Sequence, residues 1–171
     1  LSSTVTDILC NGEATGAIDL SISGGTAPYA VLWDNGSTDE DQNNLLAGAY
    51  NVTVTDANGC TISDEVTVNQ PANQLTASIS NINNIDCNAN SSGSFTVSAT
   101  GGTSPYLYSL DNGTNNQTSG LFENLAAGTY TVLVTDSNDC VTTETIEITA
   151  IDNENPTISL PAEIILEGCS A

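Results

Sequence analysis

The sequence predicts an all-β chain built from tandem β-sandwich modules. Three observations support this fold class. One long motif occurs twice in the same order, apolar and polar residues alternate along short segments, and clusters of Gly, Asn and Pro separate those segments. A motif that recurs at a fixed period is typical of a tandem module array, and strict alternation is typical of half-buried strands.

The two copies of the motif define the domain organisation. The first copy spans residues 10–60 and the second spans residues 87–140. We therefore expect one module over residues 1–71 and a second over residues 72–150. Residues 151–171 contain a linker and then a strand-like run, which we interpret as the start of a third, truncated β domain in a longer chain.

Alternation locates the strands. Tyr50, Val52 and Val54 share one face of a segment whose other face is polar, and the second copy repeats this pattern. Because successive side chains of a strand point to opposite faces, this alternation predicts that these three side chains face a core. The second-copy residues are Tyr130, Val132 and Val134, and further strands are predicted at 17–23, 29–34, 61–68, 95–100, 106–110, 141–149 and, as edge strands, before Cys10 and Cys87.

Turn residues separate these strands at short, regular intervals. Asn35-Gly36 and Asn112-Gly113 predict type I′ hairpin turns, in which both central residues have positive φ. About six or seven short strands per module, with no long helical pattern, favour an immunoglobulin-like β-sandwich.

A tyrosine follows a Leu and a Gly at the start of one strand in each module. Tyr50 follows Leu45 and Gly48, and Tyr130 occupies the equivalent place. This arrangement predicts a tyrosine corner, in which the phenol hydroxyl donates a hydrogen bond to the preceding loop. We expect both tyrosines to be structural.

The charge composition excludes several classes of function. The chain has no Lys, Arg or His, 21 acidic residues and a net charge of −21, whereas an average chain of this length would carry roughly 20 basic residues. Such a surface repels nucleic acid and anionic membranes, and no segment is apolar enough for membrane insertion.

The absence of Lys, Arg and His also removes the residues that most acid–base and nucleophilic catalysis uses, so we expect no enzyme. A carboxylate-pair glycosidase is the remaining catalytic alternative.

The cysteines predict disulfides and an oxidising compartment. Cys10 and Cys87 are equivalent in the repeat, as are Cys60 and Cys140, so we pair Cys10 with Cys60 and Cys87 with Cys140. The alternative, cysteines as metal ligands, lacks the usual close spacing. We expect the partner of Cys169 to lie beyond the sequence.

The repeated motif resembles the SprB repeat. It reads CxxxxxG, GGTxPYxxxxDNG and LxAGxYxVxVTDxNxC in order, twice, over about residues 5–150. The family occurs in very large surface adhesins of Bacteroidota, including a gliding-motility adhesin. The resemblance implies type IX secretion to the cell surface and outer-membrane association through the rest of the chain. It implies no catalytic residues and identifies no ligand, and the tail is similar to the start of a HYR-type immunoglobulin-like domain.

Calcium is the cofactor that the acidic side chains best fit, although none is required. Asp152, Asn153, Glu154 and Asn155 precede a proline and are similar to the calcium linker of cadherins. The alternative is a polar linker. Elsewhere we favour a solvated loop and ordinary turn residues over metal binding; the residues concerned are Asp34, Asp39, Glu40 and Asp41 in the loop and Asp56 and Asp136 in the turns.

The leading functional hypothesis is a structural and adhesive stalk segment of a secreted cell-surface adhesin. Its expected partners are neighbouring modules of the same chain, an external surface or polysaccharide, and the secretion or gliding machinery. The alternative is a carbohydrate-binding module array that uses exposed aromatic residues. Trp33 alternates in phase with Tyr29 and Val31, which favours a core position over a sugar platform.

Overall fold

The computed structural model describes residues 1–86 and 92–151 of the chain. Across these residues the protein is all-β, and each module is a sandwich of two antiparallel sheets. Within the same residues, no helix is long and apolar enough to cross a membrane. The fold class predicted from the sequence is confirmed.

The first module consists of two three-stranded sheets. One sheet has the order β1-β2-β4 and the other has the order β3-β5-β6, which corresponds to strands A-B-E and C-F-G of an immunoglobulin-like sandwich. The strands are β1 (Ser2–Thr6), β2 (Gly16–Ser21), β3 (Ala30–Trp33), β4 (Gln42–Leu45), β5 (Gly48–Thr55) and β6 (Thr61–Val68).

The second module repeats this topology. Its sheets have the orders β7-β9-β11 and β10-β12-β13, and a short parallel pair joins β8 to β14. The strands are β7 (Thr76–Asn83), β8 (Ile85–Asp86), β9 (Gly93–Thr100), β10 (Leu107–Ser109), β11 (Leu121–Leu125), β12 (Gly128–Thr135), β13 (Val141–Ile148) and β14 (Ala150–Ile151).

Each module has its own hydrophobic core between its sheets. Val52 in β5 and Val132 in β12 are fully buried, as the alternating pattern predicts. The large side chains differ between the cores. Trp33 fills the first core, whereas Phe95 and Phe122 pack against each other in the second, with ring centroids 5.3 Å apart and ring planes tilted by 40°. The two repeats therefore build the same sandwich with different packing.

Strands β4 and β11 were not predicted, because their sequences do not alternate clearly. Strand β4 begins with Gln42, whose side chain is buried and donates hydrogen bonds to Ser37 Oγ and to the carbonyls of Asp39 and Asp41. A polar residue that is buried through its hydrogen bonds resembles a surface residue in the sequence. Strand β11 is the equivalent element of the second module and was also missed.

One of the two predicted type I′ turns is wrong. Asn112 and Gly113 both have positive φ, with values of 56° and 86°, and Thr114 N–H donates to Asp111 C=O, as the turn requires. At the Asn35-Gly36 turn of the first module, only Gly36 has positive φ, and Trp33 N–H donates to Ser37 C=O. That hairpin therefore has a three-residue loop in which glycine alone is left-handed.

Candidate functional site: the covalent joint between the modules

A disulfide joins the two modules. Cys10 follows β1 in the first module and is bonded to Cys140, which precedes β13 in the second; their Cα atoms are 5.6 Å apart and their sequence separation is 130. Cys10 packs against the core of the second module. The joint thus connects two sandwiches whose cores are otherwise separate.

This bond contradicts the predicted pairing of Cys10 with Cys60 and of Cys87 with Cys140. Cys60 directly precedes β6, whereas Asn69 directly follows it and accepts a hydrogen bond from Ile8 N–H, close to Cys10 in sequence. The eight residues of β6 span about 26 Å at about 3.3 Å per residue. Cys10 and Cys60 therefore lie at opposite ends of the first module, too far apart for a disulfide.

The turn that carries Cys10 is also hydrogen-bonded to the linker. Glu13 N–H donates to Cys10 C=O, which closes the turn. Asn11 Nδ2 donates to Pro71 C=O at 2.6 Å, and Gly12 N–H donates to the Gln70 side chain at 2.8 Å. These bonds hold the turn against the segment that leads into the second module.

The second half of the joint is organised by the buried carboxylate of Asp136. One oxygen accepts hydrogen bonds from Asn138 N–H at 2.8 Å and Cys140 N–H at 3.0 Å, and the other accepts one from Thr103 N–H at 2.8 Å. Three backbone donors therefore satisfy the oxygens of this buried side chain. Asn138 Nδ2 also donates to Leu9 C=O of the first module at 3.2 Å, so the turn binds the preceding module directly.

The first module carries the same turn without a module docked on it. Asp56 accepts hydrogen bonds from Asn58 N–H, Cys60 N–H and Thr26 N–H. The backbone bonds from Cys60 and Thr26 lower the pKa of the Asp56 carboxyl below its usual value. Cys60 is exposed and forms no disulfide with any residue in the described ranges.

Asp56 and Asp136 therefore act as the turn formers that the sequence predicted. Each accepts the backbone N–H two residues further on. The sequence did not reveal that the Asp136 turn is buried in a joint, because its local pattern is almost identical to that of the exposed Asp56 turn.

Two carboxylates of the acidic loop that the sequence analysis names, those of Asp34 and Asp41, accept hydrogen bonds within the module. Asp34 accepts bonds from the side chain and the backbone N–H of Asn51, which lower its pKa. Asp41 accepts a bond from Leu20 N–H. In the part of the chain that the structure describes, no cluster of acidic or Cys residues is arranged to hold a metal ion.

Three predictions lie outside the described residues and stay predictions. They are the pairing of Cys169, the HYR-type tail, and the candidate calcium linker of Asp152, Asn153, Glu154 and Asn155.

The aromatic side chains of the chain are buried or half-buried. The sequence has one Trp, five Tyr and two Phe, and all eight lie within the described ranges as buried or half-buried side chains. Trp33 is 1% exposed, and its indole N–H donates to Asp39 C=O. The predicted core position of Trp33 is confirmed, so it is not available to stack on a sugar ring.

Both tyrosine corners contain the hydrogen bond that the sequence predicted. Tyr50 Oη donates to Leu46 C=O at 2.8 Å, and Tyr130 Oη donates to Ala126 C=O at 2.9 Å. The rings pack against their respective cores. These bonds position the start of β5 and β12 against the preceding loop.

The fold and the joint define a tandem array of immunoglobulin-like modules connected by an inter-module disulfide. The family model described as SprB repeat matches residues 2–38 and 79–115, one stretch in each module. The chain thus contains two SprB repeats. This repeat identifies a structural, cell-surface type of module, and the disulfide is compatible with an extracellular location. The comparison with curated proteins found no match.

Several solved structures are similar to the chain at low identity. The three N-terminal domains of the bacteriophage RB49 highly immunogenic outer capsid protein are 14% identical, with a TM-score of 0.47 over 87% of this chain and 58% of that one. A C-terminal fragment of intimin, in complex with the intimin-binding domain of its translocated receptor, is 17% identical, with a TM-score of 0.45 over 87% and 64%. Amphioxus IgVJ-C2 is 16% identical, with a TM-score of 0.34 over 86% and 96%. The chain thus spans little more than half of the first structure, and the fold assignment rests on the strand pairing described above.

Proposed function

We propose that this chain is a non-catalytic structural segment of a secreted cell-surface adhesin, which holds an adhesive region away from the cell and transmits force to it. The observation that carries the proposal is the Cys10–Cys140 disulfide across the joint. A flexible linker alone would connect the modules without protecting them from extension. A covalent bond between them changes how the array responds to tension.

The disulfide shortens the covalent path between the ends of the array. When tension is applied to the two ends, it passes along β1 to Cys10, across the bond to Cys140, and then along β13. Strands β2 to β12 lie inside the closed loop and outside this path. Loss of either core under tension therefore cannot release the residues between the two cysteines.

The net charge of −21 supports an exposed, extended role. Like-charged segments on neighbouring molecules repel one another, and this repulsion keeps them soluble and apart within a range set by the ionic strength. Secretion by the type IX system, attachment to the outer membrane and participation in gliding belong to the same proposal, since they follow from the resemblance to SprB adhesins.

Single-molecule extension tests the mechanical part of the proposal. The chain is held between handles at its two ends, first oxidised and then in the presence of a reductant. Reduction should add the 130 residues of the loop to the extensible length, at most about 450 Å at about 3.5 Å per residue.

A Cys60→Ser variant is the matched control, because Cys60 is exposed and forms no part of the joint. It should extend like the parent chain under both conditions. Full extension of the oxidised parent chain to the reduced length would contradict the proposed load path.

A second experiment separates this role from carbohydrate binding. Because no aromatic side chain is exposed, polysaccharides should leave the wavelength and intensity of Trp33 fluorescence unchanged, and the immobilised chain should not retain them. Saturable retention of a polysaccharide by the folded chain would favour the binding-module alternative.

A further inference from the structure

We propose that Cys60 is an attachment site for a preceding module of the same type. In this proposal, the cysteine in the Cys10-type turn of that module forms a disulfide with Cys60, as Cys10 does with Cys140. The inference rests on the structural equivalence of the two modules and does not depend on the proposed adhesive role.

The turns that carry Cys60 and Cys140 have the same hydrogen bonds. Asp56 accepts bonds from residues two and four positions later and from Thr26, and Asp136 accepts bonds from residues two and four positions later and from Thr103. The residue just before the cysteine is left-handed in both turns, with φ of 80° in the first module and 63° in the second. Both cysteines are therefore presented by the same backbone geometry.

The turns differ in what covers them. Cys140 is 8% exposed and Asp136 is 3% exposed, whereas the Cys60 side chain is exposed. At the second turn the covering group includes the Cys10 turn of the preceding module, which is bonded to it through the disulfide. The Cys60 turn has the same hydrogen bonds as the Cys140 turn, but no turn from another module in the described part of the chain covers it.

An asparagine side chain shows the same relationship. Asn138 Nδ2 donates to Thr103 Oγ1 and also to Leu9 C=O of the preceding module. Asn58 Nδ2 donates to Thr26 Oγ1 at 2.9 Å, and the residue is exposed, so an incoming carbonyl can reach the same amide group. The Cys60 turn thus carries, in Asn58, the equivalent of the Asn138 donor that binds Leu9 at the joint.

A hollow next to Cys60 provides space for the incoming turn. It has a volume of about 200 Å³, and its lining includes Gly25, Cys60 and Thr61. The repeat-equivalent residues of the second module line the hollow at the joint, together with Cys10 and its turn. These equivalents are Gly102, Cys140 and Val141. The same three positions therefore line a hollow in each module, and the hollow at the joint is also lined by the docked turn.

The bond forms by two thiol–disulfide exchanges with a disulfide oxidant, such as oxidised glutathione or the active disulfide of a thiol oxidoreductase. The incoming cysteine first attacks the oxidant and becomes a mixed disulfide, releasing one thiol. The Cys60 thiolate then attacks the incoming cysteine sulfur and expels the second oxidant thiol. The two cysteines lose two electrons and two protons, and the oxidant is reduced to two thiols.

The consequence is a series of overlapping disulfide loops. The loop closed at Cys60 would end inside the first module, whereas the Cys10–Cys140 loop begins earlier, at Cys10. Residues 10–60 would then lie within both loops. Each module would be covalently connected to the modules on either side.

A chain with one added module tests the proposal. Ser2 pairs with Ser21 in β1 and β2, and Ser78 pairs with Ser98 at the equivalent place in β7 and β9, so Leu1 corresponds to Ala77. A copy of residues 1–76 is therefore joined directly to Leu1 of the complete chain. After refolding in a glutathione buffer, proteolysis and mass spectrometry should identify a disulfide between Cys10 of the added copy and Cys60 of the original chain.

The Cys10–Cys140 bond of the same molecule is the internal control for folding and oxidation. In the extended chain, a Cys60→Ser substitution in the original part should leave Cys10 of the added copy reduced. If Cys60 stays reduced while Cys10–Cys140 forms, or if Cys60 pairs with Cys87 or Cys169, the proposal is wrong.

The unmodified chain provides a second test that needs no added module. A peptide with the sequence of residues 7–14, carrying glutathione on its cysteine, should exchange with Cys60 about fivefold faster than a scrambled peptide. Fivefold corresponds to one hydrogen bond of about 1 kcal/mol. The Asn58→Ala variant should lose this advantage, and equal rates for both peptides with the parent chain would contradict specific docking.

Discussion

Replacing both Cys10 and Cys140 with alanine should destabilise the first module while leaving its fold intact. The disulfide limits the conformations that the unfolded chain can adopt, so its removal favours the unfolded state. Both cysteines are replaced together, because a single replacement would leave an unpaired thiol at the joint.

The structure sets the expected magnitude. If the first module unfolds while the second stays folded, the released segment runs from Cys10 to the start of β7 at Thr76, which is 76 − 10 = 66 residues. Closing a loop of this length lowers the entropy of the unfolded state and so raises its free energy by about 4 kcal/mol in the chain-entropy model. If both modules unfold together, the separation of 130 raises the value to about 5 kcal/mol.

Trp33 provides the assay, because it is the single Trp of the chain and is buried in the first module. Its fluorescence during urea unfolding reports the first module alone. With a slope of about 1.3 kcal/mol/M, a loss of about 4 kcal/mol lowers the midpoint by about 3 M. Urea is preferred to guanidinium chloride, which would also screen the acidic surface.

The Cys60→Ser variant is the control and should change the midpoint little, because the Cys60 side chain is exposed. Two results would refute the reasoning. One is a loss of less than about 1 kcal/mol in the double variant, far below the chain-entropy value. The other is an equal loss in the Cys60→Ser variant.

Three further predictions concern packing, protonation and charge. Gly16→Ala should destabilise the first module by about 1–3 kcal/mol, because the new Cβ would lie 2.6 Å from Val68 Cγ1; Gly48→Ala, which meets open space, is the control in the same Trp33 assay. Hydrogen bonds from Asn115 N–H and from Ser109 Oγ lower the pKa of Asp111 to about 2, so its contribution to stability should be complete above pH 3.8 and lost as the pH falls towards 2. Carbon-detected NMR titration should give this pKa, and Ser109→Ala should raise it. Added NaCl should raise the thermal unfolding midpoint, because a chain without Lys, Arg or His has repulsive carboxylate pairs to screen; a midpoint that falls with salt would contradict this.

The strand pattern and much of the core could be predicted from the sequence. In β5 and β12 the pleat places alternate residues on one face, so the alternation of Tyr50, Val52 and Val54 identified the buried side directly. The tyrosine corners were predictable for a related reason, since a short Leu–Gly–Tyr motif contains both the turn and the hydrogen-bond donor. Local patterns report local structure well.

The disulfide pairing could not be predicted from the repeat alone. Repeat alignment shows which cysteines are equivalent, but it does not show at which end of the sandwich each one lies. Because β6 separates Cys60 from the end of the module that carries Cys10, pairing occurs between modules. The joint also depends on residues 60 or more positions apart, such as Asn11 with Pro71 and Asn138 with Leu9. Their sequences resemble ordinary turns.

The most direct test of the account is the disulfide map of the native, oxidised chain. Free thiols are blocked at low pH, the chain is digested with pepsin, because it has no trypsin sites, and the linked peptides are identified by mass spectrometry. The account predicts a linked pair that contains Cys10 and Cys140, with Cys60 recovered as a blocked thiol. A linked pair that contains Cys10 and Cys60 would place the bond within the first module and would contradict the covalent joint.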